Sequence, residues 1–209
     1  MPSLRELTLS GCGLSPASVP ALARVMHDGT LTSLVISNAE QLLLDEPAAT
    51  QLGAAVAANR TLEHLQLSRM GFWSDMRAAA AFLRGLVGHP TLTELDLSPN
   101  VNAPGLPADV LSAAGAALGA LVATLPALRM LSVRRCGLGD AGLGPLMAAL
   151  AHSSTLRELD CSGNIISQEF AREHLLPAVR ANTSLRWLRA GCPEAVQVEA
   201  LVAGRARRR

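Results

Sequence analysis

The sequence contains thiol and imidazole side chains that could do chemistry, and their spacing decides which chemistry is open to them. Four cysteines lie far apart, without a Cys-x-x-Cys or Cys-x-x-His pair: Cys12, Cys136, Cys161 and Cys192. Zinc sites in proteins usually take ligands from such close pairs. Three histidines recur where a predicted helix ends, a place where an imidazole interacts favourably with the helix carbonyls: His27, His89 and His152. The sequence therefore predicts no metal and no cofactor.

A row of serines is the other candidate for catalysis. These residues recur at the ends of the predicted strands, on their exposed side: Ser10, Ser37, Ser68, Ser98 and Ser162. A serine nucleophile needs a base within hydrogen-bond reach. The histidine on the same side, His64, is roughly 13 Å from Ser68 at about 3.3 Å per residue. All 18 basic residues are arginine, which removes chemistry that needs a lysine amine. We therefore predict that the protein is not an enzyme.

Length and composition describe a globular protein with little net charge. The chain has 209 residues, of which 49% are hydrophobic, and a formal net charge of +1. A chain of this size buries a core without disulfides. Low charge and an aromatic content of 2% argue against nucleic acid as a partner. The sequence has no long uncharged apolar tract and no secretory leader, so we expect no membrane contact and a reducing compartment, the cytoplasm or the nucleus.

The elements that must position these side chains repeat along the whole chain. The motif is Leu-x-x-Leu-x-Leu, with occasional replacements at the last position, and it starts near residues 4, 31, 62, 92, 128, 156 and 185. Apolar and polar residues alternate within it, as in a strand with one buried face. Between the motifs lie amphipathic segments such as 74–87 and 109–124, which predict helices. We expect one repeat domain over 1–204 and a basic tail over 205–209.

This pattern resembles the leucine-rich repeat superfamily, and its long helical segments resemble the ribonuclease-inhibitor-like subclass. The resemblance implies an α/β solenoid, a right-handed arc with about seven parallel strands on the concave face and helices on the convex face. It also implies an Asn or Cys eight residues after the first leucine, where the side chain satisfies backbone groups in the turn. Four units match: Cys12, Asn100, Cys136 and Asn164. We expect Cys12, Cys136 and Cys161 to be buried.

The C-terminal half of the predicted concave face has the composition of a binding surface. Units five to seven carry six arginines against two carboxylates at outward or flanking strand positions, with Trp187 among them. Arginine and tryptophan are enriched at binding hot spots. Asp160 and Arg189 stand on adjacent strands, so a simple ion pair is the alternative for these two. The predicted partner-binding residues are Trp187, Arg129, Arg134, Arg135, Arg189, Glu158 and Asp160. We expect them to bind a protein with an acidic surface.

The function predicted from these observations is that of a non-enzymatic interaction module or scaffold. Families with this repeat include GTPase-activating proteins, ubiquitin-ligase adaptors, immune receptors and bacterial effectors. The resemblance therefore leaves open a regulator of the GTPase-activating or adaptor type, or a fragment of a larger receptor or effector.

The two ends of the repeat add further expectations. No cap precedes Leu4, which leaves open self-association through the first unit. Residues 194–204 predict a short covering helix. The arginines of the 205–209 tail predict a frayed terminus, with nucleic-acid binding as the alternative.

Overall fold

Seven strands lie side by side in chain order, and every neighbouring pair is parallel. The computed structural model describes residues 4–27, 29–43, 45–100, 106–193 and 195–206. The strands are β1 (Glu6–Ser10), β2 (Ser33–Ser37), β3 (His64–Ser68), β4 (Glu94–Asp96), β5 (Met130–Ser132), β6 (Glu158–Asp160) and β7 (Trp187–Arg189). The predicted α/β solenoid is confirmed, and each leucine motif forms one strand.

Helical segments follow the strands. They are α1 (Val19–His27), α2 (Glu46–Ala58), α3 (Met76–Leu86), α4 (Ala108–Thr124), α5 (Gly139–His152), α6 (Gln168–Phe170), α7 (Leu176–Ala181) and α8 (Ala195–Ala206). A 3₁₀ turn, Pro16–Ser18, precedes α1, and a π-helical turn, Ala171–Leu175, joins α6 to α7. Side chains of Asp45, Asp75 and Ser167 accept hydrogen bonds from the first turns of α2, α3 and α6, as their N-cap residue types predict.

The size of the elements explains the arc. Neighbouring strands are about 4.8 Å apart, whereas packed helices need about 10 Å, so the sheet lines the concave side. The leucines that open units two to seven are fully buried between the layers, as are the central leucines of β2 to β6. Outward strand residues keep their repeat register, because Glu6, Ser33, His64 and Glu94 pair in sequence across β1 to β4.

Glycines bring two pairs of helices into close contact. A Cβ at Gly53 of α2 would lie 2.9 Å from the Phe82 carbonyl oxygen of α3. A Cβ at Gly119 of α4 would lie 3.0 Å from the Pro145 carbonyl oxygen of α5. Between these pairs, an open groove of about 580 Å³ lies over the contact of α3 with α4. The helical layer is therefore unevenly packed.

Asparagine and cysteine side chains form a ladder beside the carboxyl ends of the strands. Asn164 accepts hydrogen bonds from the Cys136 and Leu138 amides, both at 3.1 Å, and donates to the Val133 and Cys161 carbonyl oxygens, both at 2.8 Å. The Asn100 side chain bridges units three and four in the same way. Each rung thus satisfies buried backbone groups of its own unit and of the preceding one.

A second ladder lies before the strands, and it corrects the expected role of His89. Asn182 accepts from the Leu185 amide at 2.7 Å and donates to the Leu150 carbonyl oxygen at 2.7 Å. His89 occupies the same position, three residues before the first leucine of its unit. It is buried, and Nδ1 accepts from the Leu92 amide at 3.2 Å. It is therefore a rung of this ladder and not a partner for the end of α3.

A helix covers the C-terminal end of the sheet. Ala195, Val198 and Val202 of α8 are buried against the last unit. The Glu199 carboxylate accepts hydrogen bonds from the Ala190 and Gly191 amides at 2.8 and 3.3 Å. Arg205, which the sequence assigns to the tail, lies in the last turn of α8 and donates to two carbonyl oxygens of the α7 region. The helix thus supplies the polar contacts that a further repeat would make. Residues 207–209 of the predicted tail lie outside the described residues.

The N-terminal end is less well covered. Leu4 is 49% exposed, and Leu7 and Leu9 are only partly buried. Cys12 is exposed, so the expectation that it is buried is wrong. Its thiol contacts only the Ser10 carbonyl oxygen, at 3.4 Å, because the described chain offers no preceding unit for it to bridge. Cys136 and Cys161 are buried as expected.

Candidate interaction surface

Trp187 is the large apolar side chain exposed on the concave strand face. It opens β7, beside Glu158 on β6 and, one strand further, Met130 on β5. Its exposed fraction is 44%, and Glu158 is exposed next to it. The same column in β1 to β4 holds polar side chains only. An indole in this row offers apolar contact area at the end of a strip that is polar from β1 to β4.

The guanidinium groups of three arginines in the same half of the face have no hydrogen bond or ion pair among the residues that the structure describes: Arg134, Arg135 and Arg189. Arg189 lies on β7, two residues after Trp187, on the same face of the sheet. Arg134 and Arg135 follow β5, and both are exposed. A Cβ at Gly163 would lie 2.7 Å from the Arg135 Cγ, so the stem of Arg135 passes over this glycine. The three guanidinium groups are available to a partner.

Arg129 behaves differently from these three residues. Its guanidinium donates to the Pro126, Leu128 and Thr155 carbonyl oxygens at 3.4–3.5 Å. Arg157 and Arg186, at the same repeat position, also donate to turn carbonyls. These three arginines line the edge where the chain enters the strands and satisfy the turns there. Arg129 therefore has a structural role that the sequence did not reveal.

The alternative of an Asp160–Arg189 ion pair is not realised. Asp160 accepts hydrogen bonds from the Ser162 amide at 2.9 Å and from the Ser162 hydroxyl at 2.6 Å. Among the described ion pairs, all within 4.0 Å, none joins Asp160 to Arg189. The carboxylate is occupied by its own turn, so the positive charge of Arg189 is left for another acceptor.

The serine row is mostly buried, contrary to expectation. Ser68, Ser98 and Ser162 are at most 8% exposed, whereas Ser10 and Ser37 are more accessible. The Ser98 hydroxyl bonds to Asp96 and to the Ser132 hydroxyl. The hydroxyl groups of the buried serines form hydrogen bonds in the turns after the strands. These serines are therefore not placed as nucleophiles.

The N-terminal half of the concave face has the opposite charge. His64 Nδ1 lies 3.0 Å from the Glu94 carboxylate, and its Nε2 lies 4.0 Å from Glu63. Glu6 and Asp96 occupy outward positions of β1 and β4. The face is therefore acidic towards β1 and basic towards β7, a polarity that orients a charged partner.

The buried thiols have no access to reactive chemistry. Burial raises the pKa of Cys136 to about 12 and also raises the pKa of Cys161. Thiolates are the nucleophilic and metal-binding form of cysteine. Among the residues that the structure describes, no group of three His, Cys, Asp or Glu side chains is placed to hold a metal ion.

Ile165 is an exposed side chain that the sequence analysis did not single out. It is 91% exposed, and its φ of 52° is in the left-handed region. Gly13, Gly71 and Gly137 hold the corresponding position in other units, with φ of 57–66°. Positive φ is rare and costly for a β-branched residue. The signal that could have found it is an isoleucine at a position where three sibling units have glycine. It adds apolar surface to the turn that follows β6.

Solved structures share this architecture. The leucine-rich repeat-containing protein LegL7 from Legionella pneumophila matches with a TM-score of 0.50 and 18% identity, over 90% of this chain and 66% of its own. The tropomodulin C-terminal domain from Caenorhabditis elegans gives a TM-score of 0.48 and 13% identity, over 78% and 93%. Leiomodin-1 actin-binding site 2 gives a TM-score of 0.47 and 14% identity, over 92% of this chain and 87% of its own. The likeness to LegL7 agrees with the leucine-rich repeat fold that the strands and ladders define.

No protein-family model and no curated protein matches the sequence. Among the described residues, no helix is long and apolar enough to span a membrane.

Proposed function

We propose that this protein is a non-enzymatic interaction module that binds an acidic protein surface on the C-terminal half of its concave face. The observation that carries the proposal is that one half of the face holds a 44% exposed Trp187 together with Arg134, Arg135 and Arg189, whose guanidinium groups have no partner among the described residues. The indole supplies apolar contact area, and the arginines supply charge and bidentate hydrogen bonds to carboxylates. Glu158 and Asp160 set the orientation of the partner beside them.

The arrangement of the face supports binding over catalysis. Three of its five strand-end serines are buried, and its exposed charged groups lie on a sheet held by two side-chain ladders. The backbone of the sheet is already ordered, so a docking partner has to immobilise only the exposed side chains. The solved neighbours include an actin-binding site, and we extend from it only the general role of protein binding. We place the protein in the ribonuclease-inhibitor-like subclass, as a scaffold in a reducing compartment of the cell.

A matched pair of charge reversals tests the location of the surface. Arg135 and Arg69 occupy the same repeat position, both exposed and both with a φ of 51°. They lie in opposite halves of the face. After affinity capture and identification of a partner, Arg135→Glu should weaken its binding at least about tenfold, measured by calorimetry, whereas Arg69→Glu should not. Added salt should reduce the difference.

Truncation of the indole tests the apolar anchor. Trp187→Ala should raise the dissociation constant by about thirtyfold or more, corresponding to about 2 kcal/mol for a central hot spot. Circular dichroism of the variant checks that the fold is intact. Unchanged affinity of Trp187→Ala and Arg135→Glu for the identified partner would exclude this surface. Accelerated hydrolysis when the partner is a GTPase would instead support the GTPase-activating alternative.

A further inference from the structure

Three arginines form a row across neighbouring strands, at the edge where the chain enters the sheet: Arg129, Arg157 and Arg186. They directly precede the first residues of β5, β6 and β7. The Arg157 amide donates to the Arg129 carbonyl oxygen, and the Arg186 amide donates to the Arg157 carbonyl oxygen, both at 2.7 Å. The three backbones are therefore direct neighbours at the strand spacing of about 4.8 Å. This arginine row holds three positive charges side by side.

The three guanidinium groups are oriented in the same way and leave the same edge open. Nη1 of Arg129 donates to the Thr155 carbonyl oxygen at 3.4 Å, and Nη1 of Arg157 donates to the Ser184 carbonyl oxygen at 2.9 Å. Nη1 of Arg186 donates to carbonyl oxygens of its own turn. Within the described part of the chain, Nε and Nη2 of all three arginines have no hydrogen bond. A guanidinium edge of this kind can bind a carboxylate through two parallel hydrogen bonds.

The fold does not require an arginine at this repeat position. Thr32, Glu63 and Thr93 hold it in units two to four. The Thr93 hydroxyl donates to the Glu63 carbonyl oxygen at 2.9 Å, and the Thr32 hydroxyl donates to the Arg5 carbonyl oxygen at 3.1 Å. The carbonyl end of a helix attracts positive charge, but it supplies only about half a unit of negative charge. The positive charge of the arginine row therefore exceeds what the turns need.

No described carboxylate neutralises the row. Glu158 follows Arg157 directly, yet the ion pairs within 4.0 Å among the described residues include neither Glu158 nor a member of the row. Like charges held side by side repel each other. Arg157 and Arg186 are half-buried, where water and salt screen this repulsion less than at the surface. Anions placed along the edge would remove the repulsion and fill the open guanidinium edges.

We propose that the arginine row binds a short acidic segment of a protein partner, with successive carboxylates paired to its three guanidinium groups. Alternate side chains of an extended segment are about 6.6 Å apart, and the flexible arginine stems span the difference from the strand spacing. Trp187 is the one exposed aromatic side chain of the described chain, too few for a platform of stacked bases, which favours carboxylates over a nucleic acid. The row lies outside the group of residues that carries the proposed function, so either proposal can fail alone.

Replacement of the row by threonine tests the site, because threonine already serves this position in two other units. The probe is a fluorescein-labelled peptide of alternating glutamate and serine residues. Fluorescence anisotropy at low salt should show that the triple variant Arg129→Thr, Arg157→Thr, Arg186→Thr binds it at least about tenfold more weakly than the wild type does. The same peptide with glutamine in place of glutamate should not bind, and added salt should reduce the difference between the proteins.

A matched control removes the same number of charges from the helices. Three exposed helix arginines are replaced by glutamine: Arg24, Arg77 and Arg180. This variant should bind the acidic peptide within about twofold of the wild type, because it leaves the row intact.

Thermal melting separates a binding role from a structural one. In Arg157→Thr the new hydroxyl is placed to donate to the Arg129 carbonyl oxygen, as Thr93 donates to that of Glu63. The substitution also removes the central charge of the row. The variant should therefore melt at the same temperature as the wild type or higher, while binding the peptide at least about threefold more weakly.

Several results would overturn the inference. They are a wild type that does not bind the peptide at low salt, equal losses in the row and control variants, and a lower melting temperature of Arg157→Thr, which would assign the arginines to the turns. Tighter binding of a single-stranded DNA of equal charge would make the ligand a nucleic acid. If Arg135→Glu weakens peptide binding as much as the triple variant does, the peptide lies on the concave surface, and the proposed function stands without the row.

Discussion

The two ends of the sheet differ in how far the apolar side chains of their terminal units are buried. At the C-terminal end, α8 buries the apolar side of the last unit, and Glu199 accepts two strand amides. At the N-terminal end, the described residues place no further unit beside β1, and its leucines are partly exposed. Leu185 and Leu4 hold the same repeat position, yet Leu185 is 0% exposed and Leu4 is 49% exposed. In a solenoid each unit is completed by its neighbours, so burial depends on position in the row as well as on residue type.

Thiol reactivity should show the largest difference between the end and the interior. Cys12 is exposed, while burial raises the pKa of Cys136 to about 12 and also raises that of Cys161. Since the thiolate is the reactive form, alkylation of Cys136 and Cys161 in the native protein at pH 8 should be at least about 1,000-fold slower than that of Cys12. Mass spectrometry resolves each site, and urea should make the three rates similar. Protection of Cys12 in the native monomer would contradict the open end.

Removal of one leucine side chain at each end should differ by a few kcal/mol. Leu185→Ala leaves a cavity beneath α8 and should lower the free energy of unfolding by about 3 kcal/mol. Leu4→Ala removes a half-exposed side chain and should cost less than about 1 kcal/mol. Urea denaturation with a common slope measures both values. Equal losses would mean that the first unit is covered as well as the last.

The contribution of the cap itself should be smaller. Glu199→Ala leaves the Ala190 and Gly191 amides without their acceptor and should cost about 1–2 kcal/mol. Gln197→Ala, on the exposed side of the same helix, is the control and should change stability by less than about 0.5 kcal/mol. If the two variants unfold at the same urea concentration, water replaces the Glu199 carboxylate without loss of stability. The stabilising contribution of α8 would then come from its apolar contacts alone.

Substitution of His89, a rung of the second ladder inside the sheet, should have the smallest effect on stability among these variants. Burial lowers the pKa of His89 from its ordinary value of 6.5. The unfolded chain therefore binds a proton at a higher pH than the folded protein does, and stability falls as the pH decreases below 6.5 through the folded pKa. His89→Asn keeps the ladder, since Asn59 and Asn182 hold this position in other units. Urea unfolding at pH 7.5 and pH 5.0 measures how much free energy of unfolding each protein loses on acidification. This loss should be smaller for the variant than for the wild type, by about 1 kcal/mol or less. An identical loss in both proteins would assign the acid sensitivity elsewhere.

The sequence was sufficient for the strands, their register and most of the core. Alternating leucines mark one face of each strand, and outward residues at the same repeat position pair across the sheet from Glu6 to Trp187. Asn100, Cys136 and Asn164 form the predicted rungs. Cys12 has the same residue type at the same repeat position as Cys136, and it is exposed because burial there comes from the preceding unit. A repeat pattern predicts the burial of side chains in interior units better than in the terminal units.

The candidate site was predicted less completely than the fold, because side-chain conformation determines which of its charged groups remain without a partner. Residue type alone does not show that Arg129 donates to turn carbonyls while the guanidinium groups of Arg134 and Arg189 have no partner among the described residues. The pairing of Asp160 with Ser162 depends on the turn after β6. These choices are made by hydrogen bonds between residues close in sequence, which compete with the cross-strand ion pairs that charge alone predicts.

The glycine contacts between helices have a mechanical consequence. In the pairs α2–α3 and α4–α5 the helix backbones touch, so bending there compresses atoms already at contact distance. The groove of about 580 Å³ between α3 and α4 contains few atoms to resist such movement. We therefore expect the arc to bend more easily between α3 and α4 than within either glycine-packed pair. A load that pulls its ends apart or presses them together should be taken up first at this seam, between the third and fourth units.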